Sequence, residues 1–242
     1  MTAYCADCDH TGFRVDETTN TAYPCPCRAA AHSRRRARKM MRAVPTRYAM
    51  VALEREPLLS LDERVRARLR TYVRQMDQRI AAGSGLWLGG ERGTGKTSAA
   101  ALLVMEASRR GYAAGFHPLA ELLVRIRRTY DQPAGAEREG DHEEELIDQL
   151  SELDLLVIDD MGVVKATPWV LQQLYVIVNR RYNEQRATVI TTDLDREELA
   201  RVVGWRVVSR LVEMTGQPVL FAGPDRRLEG AAAAVPGPVG VS

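Results

Sequence analysis

Apolar and polar positions along this chain fall into blocks that predict alternating strands and helices. Leu86-Trp-Leu-Gly is a short apolar strand, and residues 98–111 behind it form an Ala/Leu-rich helix that stops at Gly111. Leu153-Asp-Leu-Leu-Val-Ile is an apolar run closing on Asp159 and Asp160, the pattern of a strand buried on both faces of a parallel sheet. Residues 187–192 predict a further strand, with Asp193 and Asp195 at its exit as alternative caps for a helix starting at Arg196. Between Leu119 and Tyr130 the apolar residues Leu119, Leu122, Leu123 and Ile126 share one helical face, while Arg125 and Arg128 lie on another. A helix over 143–154 is expected after a polar, acidic, mobile loop at 131–145. Strands alternating with helices in this way predict an α/β fold around a parallel sheet.

The first 44 residues break this rhythm. All four cysteines sit there, as Cys5-x2-Cys8 and Cys25-x-Cys27. Two close pairs on tight turns can aim four thiolates at one tetrahedral zinc ion, and such a site is structural because no coordination position stays open. The intervening residues read as two short strands around a turn at 16–20. So short a module cannot build its own hydrophobic core, and a metal would supply what is missing. His10 in place of one cysteine, two disulfides, or four thiols are the alternatives; disulfides are disfavoured in a reducing compartment. Residues 28–42 follow as an Ala-rich, helix-competent stretch with six arginines and Lys39. It is either a solvated linker helix or a contact for nucleic-acid phosphates or an acidic partner face. Pro45 ends it by pushing Val44 out of the α region. The expected organisation is therefore a zinc module and basic linker at 1–44, the main domain at 45–229, and a disordered tail at 230–242.

Composition narrows the class. The 242 residues are 45% hydrophobic and 27% charged, as in soluble globular chains rather than disordered, collagen-like or disulfide-dense ones. No apolar run approaches the ~18–20 residues needed to span a bilayer, and no signal-peptide pattern opens the chain, so a cytoplasmic protein without a membrane partner is expected. A net charge of +2 argues against general coating of DNA but leaves room for local basic stripes. With three lysines against 31 arginines, a lysine inside a motif is informative.

The strongest motif contains such a lysine. Gly90-Glu91-Arg92-Gly93-Thr94-Gly95-Lys96-Thr97, followed by Ser98, fits G-x4-G-K-[ST] between a strand and a helix N-terminus. Backbone N–H groups and the positive end of the helix dipole make this an anion site. Gly93 and Gly95 let the backbone wrap closely, Lys96 can reach the β- and γ-phosphates of ATP, and Thr97 can bind Mg²⁺. At the end of the second strand, Asp159 is the candidate for holding Mg²⁺, and Asp160 for orienting and polarising an attacking water. If the third strand lies between the other two, its tip faces the γ-phosphate, and Thr192 or Asp193 would sense hydrolysis.

Several stretches together resemble the AAA+ ATPases of the bacterial and phage replicative-helicase loader family (DnaC/DnaI type) and the related transposition helper ATPase IstB. They are CADCDHTGF…PCPCR, VPTRYAM, LGGERGTGKTS, FHPLAELLVRIRRTYD, DLLVIDDMGVVKATPWVLQQLYVIVNRRY, VITTDL and GWRVVSRLVEMTGQPVLFAGPDRR. The resemblance implies a three-layer P-loop domain with a small helical lid over about 197–212 and beyond. It implies an ATPase that binds the replicative DNA helicase, helps place it on single-stranded DNA, and self-associates through its ATP sites. Arg210, in Ser209-Arg-Leu, matches the arginine finger that stabilises transition-state charge on a neighbouring subunit's ATP. Arg206, one turn earlier, and Arg227 match nucleotide-contacting arginines less closely. The helix at 119–130 corresponds to an inserted helix contacting single-stranded DNA, which makes Arg125, Arg127, Arg128 and Tyr130 candidate DNA contacts. Lys165, Arg180 and Arg181 are further candidates for phosphate contact.

The cysteine-bearing front end favours a loader, and the resemblance implies that it contacts the helicase. Two departures stand out. Asp193 occupies a position where related ATPases carry Asn, and a carboxylate near a γ-phosphate is repelled unless Mg²⁺ or an arginine screens it. Either Thr192 then takes the sensing role, or hydrolysis is slow or differently tuned. Asp160 stands where many AAA+ members carry Glu, although the loader family shares this Asp-Asp pair. Two other functions fit the same motifs: an IstB-like helper that binds duplex DNA, and an ATP-binding assembly adaptor with little turnover.

Overall fold

The computed structural model describes residues 8, 11, 13–16, 18, 21–25, 44–128, 139–162 and 167–226. Near the N-terminus, β1 (Phe13–Asp16) and β2 (Thr21–Pro24) pair as an antiparallel hairpin, with Phe13 opposite Pro24. This is the pair of short strands that the insert between the cysteines predicts. Cys8 and Cys25 bracket the hairpin and are both buried. A tight turn follows Cys8, whose carbonyl accepts the Thr11 N–H at 2.9 Å. Cys5, Cys27 and the basic stretch at 28–42 lie outside the described residues, as does the tail at 230–242.

In the main domain, α1 (Glu63–Arg74) and α2 (Met76–Ala81) precede β3 (Leu86–Gly90), which leads into α3 (Lys96–Arg109). Then come β4 (Ala114–Pro118), α4 (Leu119–Arg128), α5 (Glu139–Glu152) and β5 (Leu155–Asp159). The chain continues through α6 (Pro168–Asn183), β6 (Ala187–Thr192), α7 (Arg196–Val203), α8 (Trp205–Thr215) and β7 (Val219–Phe221). The five later strands form one parallel sheet in the order β4-β5-β6-β3-β7. The third strand read from the sequence thus does lie between the other two.

The period of two along each strand builds the layers. Leu155 and Val157 point to one face with Leu86, Leu88, Ala187 and Val189, and they pack against α1, α2 and α3. Leu156 and Ile158 point to the other with Trp87 and Ile190, and they pack against α4 to α8. Helix α3 is buried nearly all round, from Ala99 to Val104, which explains why it carries apolar residues on every side rather than one stripe. Helix α4 buries Leu119, Leu122, Leu123 and Ile126, the face the spacing predicts. Among the described residues no helix is long and apolar enough to cross a membrane.

Three expectations are corrected. The helix expected from residue 143 already starts at Glu139, so residues 139–142, read as loop, belong to α5. The helices at 197–212 are not a separate lid. Val207, Val208, Leu211 and Met214 of α8 lie at i, i+1, i+4 and i+7, and this stripe is buried in the sheet's own core. The chain then re-enters the sheet as β7, beside β3. Arg181, read as a phosphate contact, is fully buried. Its guanidinium donates to the carbonyls of Leu150, Ser151, Leu153 and Ala187 and to the Thr188 hydroxyl. It therefore caps the C-terminal end of α5, where helix carbonyls are left without intrahelical partners. Burial, chiefly, pushes its pKa down to about 9, so it keeps its charge at neutral pH. Its neighbour Arg180, also on α6, pairs with Asp148 of α5.

His117 on β4 is 3% exposed, and its Nε2 has no hydrogen-bond partner among the described residues. Burial above all, with the charge of Arg125, pushes its pKa from 6.5 down to about 4. The unfolded chain therefore binds this proton first as pH falls. The stability that neutral His117 allows is complete above about pH 6.5 and drains away towards pH 4, by roughly 3 kcal/mol over the window. In urea unfolding, the stability of wild type relative to His117→Leu should fall by about 2–3 kcal/mol between neutral pH and about pH 4.5; a pH-independent difference would refute the assignment.

Candidate nucleotide site

The glycine loop joins β3 to α3, and its conformation needs the residues it has. Gly90 has φ 123°, and a Cβ there would sit 2.0 Å from the Phe221 carbonyl oxygen of β7. At Gly93, with φ 72°, a Cβ would lie 1.9 Å from the Asp225 carboxylate. Only glycine tolerates both the dihedral and the contact. Gly95 is the left-handed N-cap of α3, so the first N–H groups of that helix open towards the loop. Lys96 is 9% exposed, and its Nζ donates to the Gly90 and Glu91 carbonyls at 2.6 Å each.

A cleft of about 530 Å³ lies over this loop, within the usual range for small-molecule sites. From the loop and α3 it is lined by Arg92, Gly93, Gly95, Lys96, Thr97 and Ser98. The strand ends add Asp159, Asp160, Thr191 and Asp193. The far wall is made of Arg47, Tyr48, Pro57 and Arg226. Lys96 and Asp159, the two sequence candidates on which a nucleotide reading most depends, thus face one cavity.

Thr191 organises the strand ends. Its hydroxyl donates to Asp159 Oδ1 at 2.6 Å and accepts the Asp160 N–H at 2.8 Å. Asp160 has φ 60°, a left-handed conformation unusual for a non-glycine residue, and its exposed side chain turns into the cleft. Asp159 is 6% exposed. Burial, chiefly, raises its carboxyl above the ordinary range and the Asp160 charge adds to this, while hydrogen bonds from Thr191 and Thr97 hold it down. Thr97 and Asp159 therefore meet as two oxygen ligands, a donor set that suits Mg²⁺.

The remaining candidates distribute unevenly. Thr192 is fully buried, donates its hydroxyl to the Met161 carbonyl and does not line the cleft. Asp195, not Asp193, caps α7, in a capping box with Glu198. Asp193 is left for the cleft and pairs with Arg92, whose Nε donates to its Oδ2 at 2.6 Å. Partial burial works against this carboxylate, but the Arg92 hydrogen bond and charge outweigh it and keep the group below its usual range. An arginine thus screens the departure noted at the sensor position.

Arg227 lies outside the described residues, but Arg226 lines the cleft. Its guanidinium donates to the Pro57 carbonyl at 2.8 Å, the Ser60 carbonyl at 2.9 Å and the Ser60 hydroxyl. Arg206 is exposed, and neither it nor Arg210 faces the cleft of its own chain. Arg210 lies 5.0 and 5.6 Å from the ring centroids of Tyr175 and Tyr182 on α6 and donates to the Arg206 carbonyl. Arg125 and Arg127 are exposed on α4. The Arg128 side chain, Tyr130 and Lys165 are outside the described residues. Among those residues no group of three or more His, Cys, Asp or Glu is placed to hold a metal ion, and two of the four cysteines fall outside them.

Sequence reasoning missed Thr191, Arg47, Tyr48, Pro57 and Arg226. The VPTRYAM stretch was a signal for Arg47 and Tyr48, though not for where they would lie. For Thr191 the signal was position: a hydroxyl on the middle strand, one residue from the tip. Thr191→Val should lower stability by about 1–3 kcal/mol in urea unfolding, because it strands both the Asp159 carboxylate and the Asp160 N–H.

Comparison with known proteins agrees with this geometry. The chain matches the family model described as IstB-like ATP binding protein over residues 28–211. It is 31% identical over 145 residues to the replicative helicase loader DnaC of Escherichia coli (strain K12), covering 60% of this chain and 56% of that protein. With DnaC of Buchnera aphidicola subsp. Acyrthosiphon pisum (strain APS) it shares 26% identity over 140 residues, 58% of this chain and 54% of that one. The chain thus spans about half the length of the curated relatives it matches. The crystal structure of the DnaC helicase loader superposes with a TM-score of 0.62 at 23% identity, over 74% of this chain and 100% of that chain. For the crystal structure of DnaI the TM-score is 0.53 at 21% identity, over 78% and 93%. The fold is shared with these structures, and the family match over most of its length makes this chain a member of the IstB-like ATP-binding protein family.

Proposed function

We propose that this protein is an AAA+ ATPase that binds a replicative DNA helicase and helps load it onto single-stranded DNA. The observation that carries the proposal is the convergence of Lys96, Thr97, Asp159 and Asp160 on one cleft. The likeness to helicase loaders named above directs that chemistry towards loading. In this reading the loop N–H groups and Lys96 bind the phosphates of ATP, with Lys96 exchanging its loop carbonyls for phosphate oxygens. Thr97 and Asp159 hold Mg²⁺, which neutralises charge on the phosphates. Asp160 orients and polarises the attacking water. Arg210 is the group a neighbouring subunit would receive at its ATP, after leaving the two tyrosines it rests on. Arg125 and Arg127, with Arg128 and Tyr130, are the proposed contacts to single-stranded DNA.

The front module belongs to the same proposal. Cys5, Cys8, Cys25 and Cys27 would hold structural zinc; the burial of Cys8 and Cys25 on either side of a short hairpin supports this. The family match to IstB-like proteins favours a second reading, a transposition helper on duplex DNA.

Three measurements test these assignments. Lys96→Ala should abolish ATP binding, while Asp160→Asn and Arg210→Ala should keep binding but slow turnover about 10²-fold or more in a self-associating sample. Unchanged turnover in Arg210→Ala would remove the finger. A pull-down should recover the cognate replicative helicase and gel shifts should favour single strands; capture of a transposase with duplex preference would install the second reading. Purified protein should carry about one zinc per chain and lose the front module's protease resistance on chelation; folded protein free of zinc would remove the metal.

A further inference from the structure

Three aspartates, Asp159, Asp160 and Asp193, face the same cleft. Its cations are placed differently from one another. Lys96 is held by loop carbonyls, and Arg226 by Pro57 and Ser60. Arg92 stands on the glycine loop with its side chain 79% exposed and bonds Asp193, 101 residues away, at 2.6 Å. Asp193 is fixed at the exit of the central strand and is only 15% exposed. The pair thus joins a largely buried carboxylate to a largely exposed guanidinium, across the space between the glycine loop and the tip of β6.

We propose that Arg92 and Asp193 act in opposition on the affinity of this cleft for a nucleoside triphosphate relative to a diphosphate, so that removing either one alone shifts the preference. The inference rests on the nucleotide reading above and deepens it. A terminal γ-phosphate adds negative charge at the strand tips, where Asp193 already contributes one. Charges a few ångströms apart in a partly desolvated cleft repel strongly. Arg92 offsets this by serving both anions at once, since its planar guanidinium has five N–H donors. A diphosphate ends short of this point and is indifferent to the pair. Asp193 is then a brake on triphosphate binding and Arg92 its release, so each should act on one nucleotide and spare the other.

The test is titration calorimetry with Mg²⁺, using ADP and a non-hydrolysable ATP analogue on the full chain. Wild type, Arg92→Ala, Asp193→Asn, the double variant and Lys96→Ala are compared, with circular dichroism melts to verify folding. The readout is the Kd for ADP divided by the Kd for the analogue. Asp193→Asn should raise this ratio about 5–10-fold and Arg92→Ala should lower it about 10-fold, because one removes the brake and the other leaves it unscreened. The double variant should return to within about threefold of wild type, and Arg92→Lys should rescue in part. Ratios equal within about twofold in all folded variants, or a fall with Asp193→Asn, would overturn the proposal. Failure of the nucleotide reading itself looks different: wild type binding neither nucleotide, or Lys96→Ala binding both as wild type does.

Discussion

The insertion of β6 between β3 and β5 is the constraint on which the site depends. In a parallel sheet the C-terminal strand ends share one edge, and ligands bind there. With β6 in the middle, the glycine loop after β3 and the two aspartates after β5 are held one strand apart on either side of it. Thr191 turns that adjacency into geometry. One hydroxyl fixes the Asp159 carboxylate and the Asp160 backbone at once. The left-handed conformation of Asp160, costly for a residue with a Cβ, is over-determined by this bond and by the Met161 N–H to Thr191 carbonyl bond beside it.

Electrostatics at this edge are balanced by short tethers. Lys96 borrows carbonyl acceptors from the loop, Arg226 borrows them from the segment at 57–60, and Arg92 borrows a carboxylate. Each is a bond a phosphate oxygen can replace. The far wall comes back to the loop through the chain after β7, where the Arg226 N–H meets the Gly93 carbonyl and Asp225 occupies the space a Gly93 side chain would need. The segment carrying Arg226 is thereby held to the phosphate loop rather than left as a trailing end.

Away from the site the same sheet needs a different polar device. Arg181 joins α5, α6 and β6 by satisfying backbone carbonyls inside the core. A buried cation whose hydrogen bonds go to carbonyls and a hydroxyl, with Asp154 and Glu184 acting only through their charge, is expensive unless its donors are met. Here several carbonyl dipoles at a helix C-terminus take that role.

Much of the fold was legible. The apolar runs of β3, β5 and β6, the single-stripe helix α4 and the glycine motif are local patterns, and local backbone preferences and side-chain periodicity produce them wherever they occur. β4 and β7 were not legible: one carries Gly, His and Pro, the other has three residues, and both are strands only because neighbours pair with them. The lid expected near 197–212 failed for a related reason. An amphipathic stripe says that a helix will be covered, not by what, and here the cover is the central sheet.

Residue chemistry within a motif was therefore set by the sequence itself. Lys96, Thr97, Asp159 and Asp160 follow from spacing along one strand–loop–helix unit or one strand end. What only the tertiary structure decided were relations across long separations: that Asp193 meets Arg92 rather than capping α7, that Arg226 reaches the cleft, that Thr191 rather than Thr192 bonds the aspartates, and that Arg181 is buried among carbonyls. Adjacent residues on a strand point to opposite faces, and a one-residue difference in a sequence carries no mark of which face will be the site. That choice belongs to strand order and packing, which only the folded chain contains.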